Sequence, residues 1–295
     1  MKKYAEQHFK PVPSVNFHLW QPCNMRCRFC FATFQDVKNE CLPKGHLPRE
    51  EAILIVDSLC KAGFSKITFV GGEPTLCPWL ADLMAVAKKY ALTTMLVTNG
   101  SQLTPEFLQQ LKPSLDWVCI SIDSLFPETN KAAGRVLLNN KPIDENHYLA
   151  LCKMIKQMGF GLKINTVAHK LNHYEDMSSF IQRAAPQRWK IFRVLPVEGQ
   201  NSGVQNELLI SEKEFQLFLS INKNTKCKPI VEDNDDMRGS YAMVDPAGRF
   251  FDSSQGFHRY SQPILEAGVE NAYNQIMITE KKFYQRGGKY DWLIT

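Results

Sequence analysis

Six short runs rich in β-branched and aromatic residues, at 15–20, 66–70, 94–98, 117–122, 161–167 and 189–195, read as strands. Apolar residues recur at helical spacing over 49–62, 79–90, 106–111, 147–158 and 174–184. Pro48, Pro78 and Pro105 mark helix starts, while Gly63 and Gly159 lie just past helix ends. Strand alternating with helix implies an α/β fold with a parallel sheet and right-handed crossovers. Beyond Pro196 the rhythm changes. Ser211 and Glu214 form a capping box for a helix running to Asn222, and 241–251 reads as a hairpin around Asp245-Pro-Ala-Gly248. The expected organisation is an N-terminal extension (1–13), a main domain (14–195) and a C-terminal extension (196–295) that covers the main domain. The short acidic run 232–236 reads as a solvated loop.

At 295 residues, 44% of them hydrophobic, the chain can bury a large core without staples. A net charge of +5 is only mildly basic and suits anionic small molecules at least as well as a nucleic-acid backbone. No stripe of Lys and Arg interleaved with aromatics appears, so no nucleic-acid partner is expected. The opening MKKYAEQHFKPVPSV has no apolar core of a signal peptide, and no stretch approaches the roughly 20 apolar residues of a membrane span. A cytoplasmic protein with no membrane partner is expected. The cysteine count of nine is odd, and three are clustered, which in a reducing compartment points to metal ligation.

That cluster is Cys23-Asn-Met-Arg-Cys27-Arg-Phe-Cys30, directly after the first strand. Three thiolates can hold three irons of a four-iron four-sulfur cubane and leave the fourth iron open to another ligand. The competing reading is a zinc site short of its fourth ligand, with His18 or His46 as a distant candidate. The other thiols, Cys41, Cys60, Cys77, Cys119, Cys152 and Cys227, are scattered and read as small packing residues. Strand two runs into Gly71-Gly72-Glu73-Pro74, where glycines permit close backbone approach and Glu73 can face an ammonium. Asn99, Ser121, Asp123, Lys163 and Asn165 lie at strand ends that face one mouth in a parallel barrel.

The cysteine spacing, with Phe29 before its last member, and the Gly-Gly-Glu-Pro turn resemble the motifs of radical S-adenosylmethionine (SAM) enzymes. The likeness goes further. Ser14-Val-Asn-Phe-His18, the blocks 23–31, 69–74 and 98–101, Gly161-Leu-Lys-Ile-Asn165, Arg188-Trp-Lys-Ile-Phe192, Val197-Glu-Gly-Gln-Asn201 and Arg286-Gly-Gly-Lys-Tyr-Asp-Trp292 resemble the viperin family. This resemblance implies a partial (β/α)6 barrel whose mouth the C-terminal extension covers. It also implies a lyase of antiviral defence that dehydrates a nucleoside triphosphate, CTP foremost and UTP or GTP otherwise. The product is the 3′-deoxy-3′,4′-didehydro analogue, a chain terminator, formed after a 5′-deoxyadenosyl radical removes the ribose 4′ hydrogen.

By the same resemblance Cys23, Cys27 and Cys30 hold the cluster. Gly71, Gly72, Glu73, Asn99, Ser121, Arg135 and Asn165 hold SAM, Arg135 by pairing with its methionine carboxylate. Asn16, Lys163, Arg188, Lys190 and Arg286 meet the substrate, and Tyr241 helps quench the sugar radical. Arg188 and Lys190 share a strand face at period two. Several cations are needed against a triphosphate unless magnesium supplies much of the neutralisation. An electron donor of flavodoxin or ferredoxin type and a monomeric state are expected. No membrane attachment through an N-terminal helix of the animal-viperin kind is expected, and 252–259 reads Asp-Ser-Ser-Gln-Gly-Phe-His-Arg where animal viperins carry a basic stretch. Two rival readings remain. A molybdenum-cofactor type enzyme would need more C-terminal cysteines than Cys227. A non-catalytic iron-sulfur module would not need Glu73, Arg135 and the cation set together.

Overall fold

The computed structural model describes residues 9–204 and 207–292. Residues 1–8 of the expected N-terminal extension lie outside it. Ten strands form one sheet among the described residues: β1 (Ser14–Trp20), β2 (Lys66–Gly71), β3 (Thr93–Thr98), β4 (Trp117–Ser121), β5 (Gly161–Ala168), β6 (Arg188–Arg193), β7 (Ile230–Glu232), β8 (Ala242–Val244), β9 (Arg249–Asp252) and β10 (Arg259–Pro263). Their order is β10-β9-β8-β1-β2-β3-β4-β5-β6-β7. β1 through β7 pair in parallel, and β8 also lies parallel to β1. The sheet is therefore an unclosed α/β barrel of the expected class. The sequence reading found its six central strands and missed the extra edge strand β7 and the pairing of the 241–251 hairpin onto β1.

The crossover helices cover the outside. In Arg49–Lys61 the residues at helical spacing, Ala52, Ile55, Val56 and Leu59, are buried, and they join the main core under β1 to β3. The helix expected over 174–184 begins only at Ser178. The backbone of 174–177 is bonded elsewhere: Glu175 N donates to the Asn172 carbonyl (2.9 Å) and Met177 N to the Asn222 side-chain Oδ1 (2.8 Å). Side-chain bonds of this kind compete with the helical ladder. The 232–236 run is also corrected: Glu232 is fully buried on β7, and Asp233 caps the short helix Asn234–Met237. Cys41 is exposed rather than packed.

The C-terminal third does more than cover the mouth. Val197–Asn201 lies against the cysteine loop, where Asn201 donates to the Phe29 carbonyl (3.1 Å). The tail instead reaches the opposite end of the barrel. Lys66 Nζ donates to Tyr290 (2.7 Å), and Trp117 Nε1 donates to the Trp292 carbonyl (2.9 Å). Lys66 and Trp117 are the first residues of β2 and β4, so the tail seals the N-terminal ends of the strands. A small apolar floor of Met95, Trp117 and Cys119, with Tyr290 packed on it, lies there inside the barrel.

Candidate active site

One cavity of about 540 Å³ occupies the barrel interior, and every site residue expected from sequence lines it, from Cys23, Cys27 and Cys30 to Lys163, Arg188, Lys190, Tyr241 and Arg286. The two chemistries occupy opposite ends. The cysteines follow the C-terminal end of β1, while Arg188 and Lys66 begin β6 and β2. Lys163, expected at a strand end, is instead the third residue of β5 and points its chemistry deeper into the barrel with the other cations.

At the mouth, Cys30 N donates to the Cys27 carbonyl (3.2 Å), which turns the loop, and Met25 N approaches Cys23 Sγ at 3.4 Å. Burial pushes the Cys23 thiol up to about 11 and the Cys30 thiol up to about 12. Such thiols become good thiolate ligands only with a strong local cation, and a metal cluster is one. Among the described residues no three His, Cys, Asp or Glu groups are disposed to hold a single ion. That weighs against the mononuclear zinc reading, and His46 is instead stacked on Trp20 at 4.0 Å. Three free thiols on one loop lining the cavity are the donor set that an iron-sulfur cluster takes.

The adjoining shelf is built by close backbone approach. A Cβ on Gly71 would stand 2.3 Å from the Trp20 carbonyl oxygen, and one on Gly72 would stand 2.2 Å from that of Gln21. These glycines let the end of β2 pack onto the strand that carries the cysteine loop, with Glu73 N bonded to the Pro22 carbonyl (3.0 Å). Glu73 is buried and stitches β2 to β3. It accepts from Thr98 Oγ1 (2.6 Å), Thr75 Oγ1 (2.6 Å) and the Asn99 amide (2.8 Å). Burial nevertheless raises its pKa, so an added cation beside it would be favourable. The Asn99 side chain reaches back to Asn24 of the cysteine loop (2.8 Å).

Arg135 does not stand free for a ligand carboxylate. Its Nε lies 2.7 Å from Asp123 Oδ2, its Nη2 donates to the Ser121 carbonyl (2.5 Å), and its Nη1 approaches Cys27 Sγ at 3.5 Å. The Asp123 contact is an ion pair outside hydrogen-bond geometry, leaving Arg135 Nε, Asp123 Oδ2 and the nearby Asn165 Oδ1 buried without hydrogen-bond partners. Asn165 Oδ1, which has no ion-pair partner either, is the kind of buried polar atom that a polar ligand would satisfy. The residues at this end therefore fit SAM as well.

The far end is cationic. Lys66, Lys163, Arg188, Lys190 and Arg286 all line it. Burial comes first in lowering the pKa of Lys66 and Lys163, and neighbouring cations of the group lower both further. Arg188 Nη2 donates to the Gly287 carbonyl (2.6 Å), with Gly287 in the left-handed region at φ 68°. Arg286 Nε donates to the Ser240 carbonyl (3.0 Å), and its guanidinium lies 3.5 Å over the Tyr241 ring. Asn16 lines the cavity from β1. Sequence reasoning missed Lys66, Tyr290 and Glu232. Lys66 stood at a strand start and Glu232 in an acidic run, positions whose usual reading is a solvated charge.

Residues 20–184 match the family model of the Radical SAM superfamily. Two curated proteins, each named S-adenosylmethionine-dependent nucleotide dehydratase, are 52% identical to this chain. The one from Flammeovirga pacifica matches over 282 residues, 95% of this chain and 96% of its own length. The one from Lacinutrix mariniflava matches over 281 residues, again 95% of this chain but 59% of that protein, so the chain spans less than two thirds of it. Among solved structures, anSMEcpe with bound AdoMet and a peptide aligns at a TM-score of 0.66 with 14% identity, covering 92% of this chain and 82% of that one. This last likeness is one of fold.

Proposed function

The chain belongs to the radical SAM superfamily and, within it, to the viperin-like S-adenosylmethionine-dependent nucleotide dehydratases, and from that membership we propose that it dehydrates a nucleoside triphosphate, CTP foremost. The observation that carries this reading is the single cavity that joins a three-cysteine wall to a five-cation wall. A cluster-and-SAM site alone needs no such cations. A phosphate-binding protein needs no cysteine loop.

Cys23, Cys27 and Cys30 would hold the four-iron four-sulfur cluster, and the shelf at Gly71, Gly72 and Glu73, with Asn99, Ser121, Arg135 and Asn165, would hold SAM. When bound, these groups supply a radical able to take the 4′ hydrogen of a ribose. The chain's own residues then bind and orient. Lys66, Lys163, Arg188, Lys190 and Arg286 draw the triphosphate toward the closed end of the barrel and leave the nucleoside between them and the shelf. Fixing both ends of the substrate in this way sets the distance to the ribose, the entropic part of catalysis. Tyr241 projects from the same wall as Lys190 and Arg286, beside the phosphate end. Sealing by Tyr290 and Trp292 excludes water from the cations and strengthens each charge contact. Magnesium bound with the triphosphate would share its neutralisation with these side chains, two of which already pair with Glu232. The electron comes from a reductant of flavodoxin or ferredoxin type, and the chain acts as a monomer in the cytoplasm.

The test is anaerobic. Protein with a reconstituted cluster is mixed with SAM, dithionite and CTP, UTP, GTP or ATP in turn, and 5′-deoxyadenosine and nucleotide mass are followed. Nucleotide-dependent 5′-deoxyadenosine with a product lighter by one water is expected, first with CTP. Cleavage of SAM with every nucleotide unchanged would refute the substrate assignment and leave the superfamily intact.

A further inference from the structure

Behind the cationic wall, outside the cavity lining, sits Glu232. It is wholly buried, near the end of β7 and level with Phe192 of β6. Its carboxylate accepts from three groups that do line the cavity: Lys190 Nζ, the Tyr241 hydroxyl (2.5 Å) and Arg286 Nη1 (3.4 Å). Burial alone would neutralise such a carboxyl. The charges of Lys190 and Arg286 outweigh that effect and hold it below the ordinary carboxylate range.

The donor inventory then fixes what these groups offer to the cavity. Lys190 has three N–H donors; one goes to Glu232 and one to the Tyr241 oxygen (3.2 Å). Arg286 spends Nε on the Ser240 carbonyl and one Nη1 hydrogen on Glu232, leaving its other guanidinium hydrogens. Tyr241 has a single hydroxyl hydrogen, and Glu232 takes it. Its oxygen therefore faces the Lys190 ammonium as an acceptor.

We propose, resting on the triphosphate reading above, that Glu232 is a positioning residue that aims Lys190, Arg286 and Tyr241 and supplies from behind the negative charge that the ligand's phosphates come to share. Its charge holds the two cations in place before the ligand arrives. The same charge repels the phosphates once they are there. Glu232 thus lowers polyphosphate affinity while keeping the Tyr241 hydrogen turned from the cavity. A carboxylate that only packs β7 against the wall predicts no gain in affinity when its charge alone is removed.

The experiment is calorimetric binding of inorganic triphosphate, and then of CTP, to cluster-loaded protein at low salt, followed by turnover. E232Q keeps the shape and removes the charge. It is expected to bind inorganic triphosphate about tenfold more tightly than wild type, given one fewer negative charge in a low-dielectric site. The gain should shrink with added salt, and kcat with CTP should fall while KM also falls. Glu232→Asp, which keeps the charge, should stay near wild type in affinity. Unchanged or weaker binding by folded E232Q would overturn the assignment. Should E232Q alone not fold, K190Q is compared with the K190Q/E232Q double. The double is then expected to bind more tightly by the same factor, and equal or weaker binding overturns the proposal. A wild-type protein that binds no triphosphate overturns this proposal and the nucleotide reading together. Binding by wild type without the E232Q gain overturns this proposal alone.

Discussion

Lys66→Met is expected to make the protein more stable and a poorer binder of triphosphate at the same time. Lys66 is only 4% exposed, and its ammonium donates to the Tyr290 hydroxyl and lies 4.7 Å from that ring's centre. Burial, and then Lys163, Arg188 and Lys190, push its pKa well below the ordinary lysine value. Each unit of such a shift destabilises the folded chain by about 1.4 kcal/mol at neutral pH. Methionine fills much the same volume without charge, so a gain of about 2 kcal/mol is expected, comparable to other replacements of buried charge by apolar side chains. For a chain of this size that corresponds to about 3–5 °C in Tm.

Binding moves the other way. A unit charge about 5 Å from a phosphate oxygen contributes roughly 3 kcal/mol at an effective dielectric of 20, and part of this is offset by desolvation. The loss in triphosphate affinity should therefore be about 10- to 100-fold. The pH dependence has a definite sign. Because the folded pKa lies below the unfolded one, the unfolded state binds more protons between the two values, and wild-type stability rises with pH across that window. Lys66→Met should flatten the rise. Thermal unfolding from neutral to alkaline pH and titration with inorganic triphosphate read both quantities. A variant that loses stability, or one whose affinity is unchanged, would refute the assignment of Lys66 to the anion wall.

Tyr241→Phe removes the hydroxyl and keeps the ring under Arg286, so triphosphate affinity should stay within about threefold while dehydration falls by about tenfold or more, read as a kcat loss at constant KM. Asp123→Asn leaves the Arg135 guanidinium buried beside Cys27 without its carboxylate, and breaking one partner of a buried pair should lower stability by about 3–5 kcal/mol in thermal unfolding. Gly72→Ala places a Cβ against the Gln21 and Pro22 carbonyls, 2.2 and 2.5 Å away, and forces the cysteine loop aside; iron and sulfide bound after reconstitution should drop, and an unchanged iron content would show that the loop has slack.

How legible each part was in the sequence follows from the range of the interactions that make it. Cys23, Cys27 and Cys30 and the Gly71-Gly72-Glu73 turn are local: their chemistry depends on spacing along a few residues, and the structure brings them to one rim. The central strands were readable for the same reason, since buried parallel strands are short apolar runs between turns. Arg188 and Lys190 were readable because a strand's period of two puts both on one face. Glu232 was not. Its burial comes from the pairing of β7 on β6 and from Lys190, which is 42 residues away in sequence, and from Arg286, 54 residues away. An acidic run carries no trace of that pairing.

Lys66 illustrates the same limit at the other edge of the site. A lysine opening a strand is ordinarily a solvated edge charge, and it becomes an interior group here because Tyr290, 224 residues later, closes the barrel under it. The Trp117 indole is capped from 175 residues away, by the Trp292 carbonyl. A tail that seals the strand starts turns Lys66 from an edge charge into part of a buried cationic wall, and it does so without changing composition or local pattern. The cysteine rim is therefore written in motifs, whereas the cationic end is written in contacts between distant segments. Variants at Lys66 and Glu232 test that second part, and they leave the motif residues untouched.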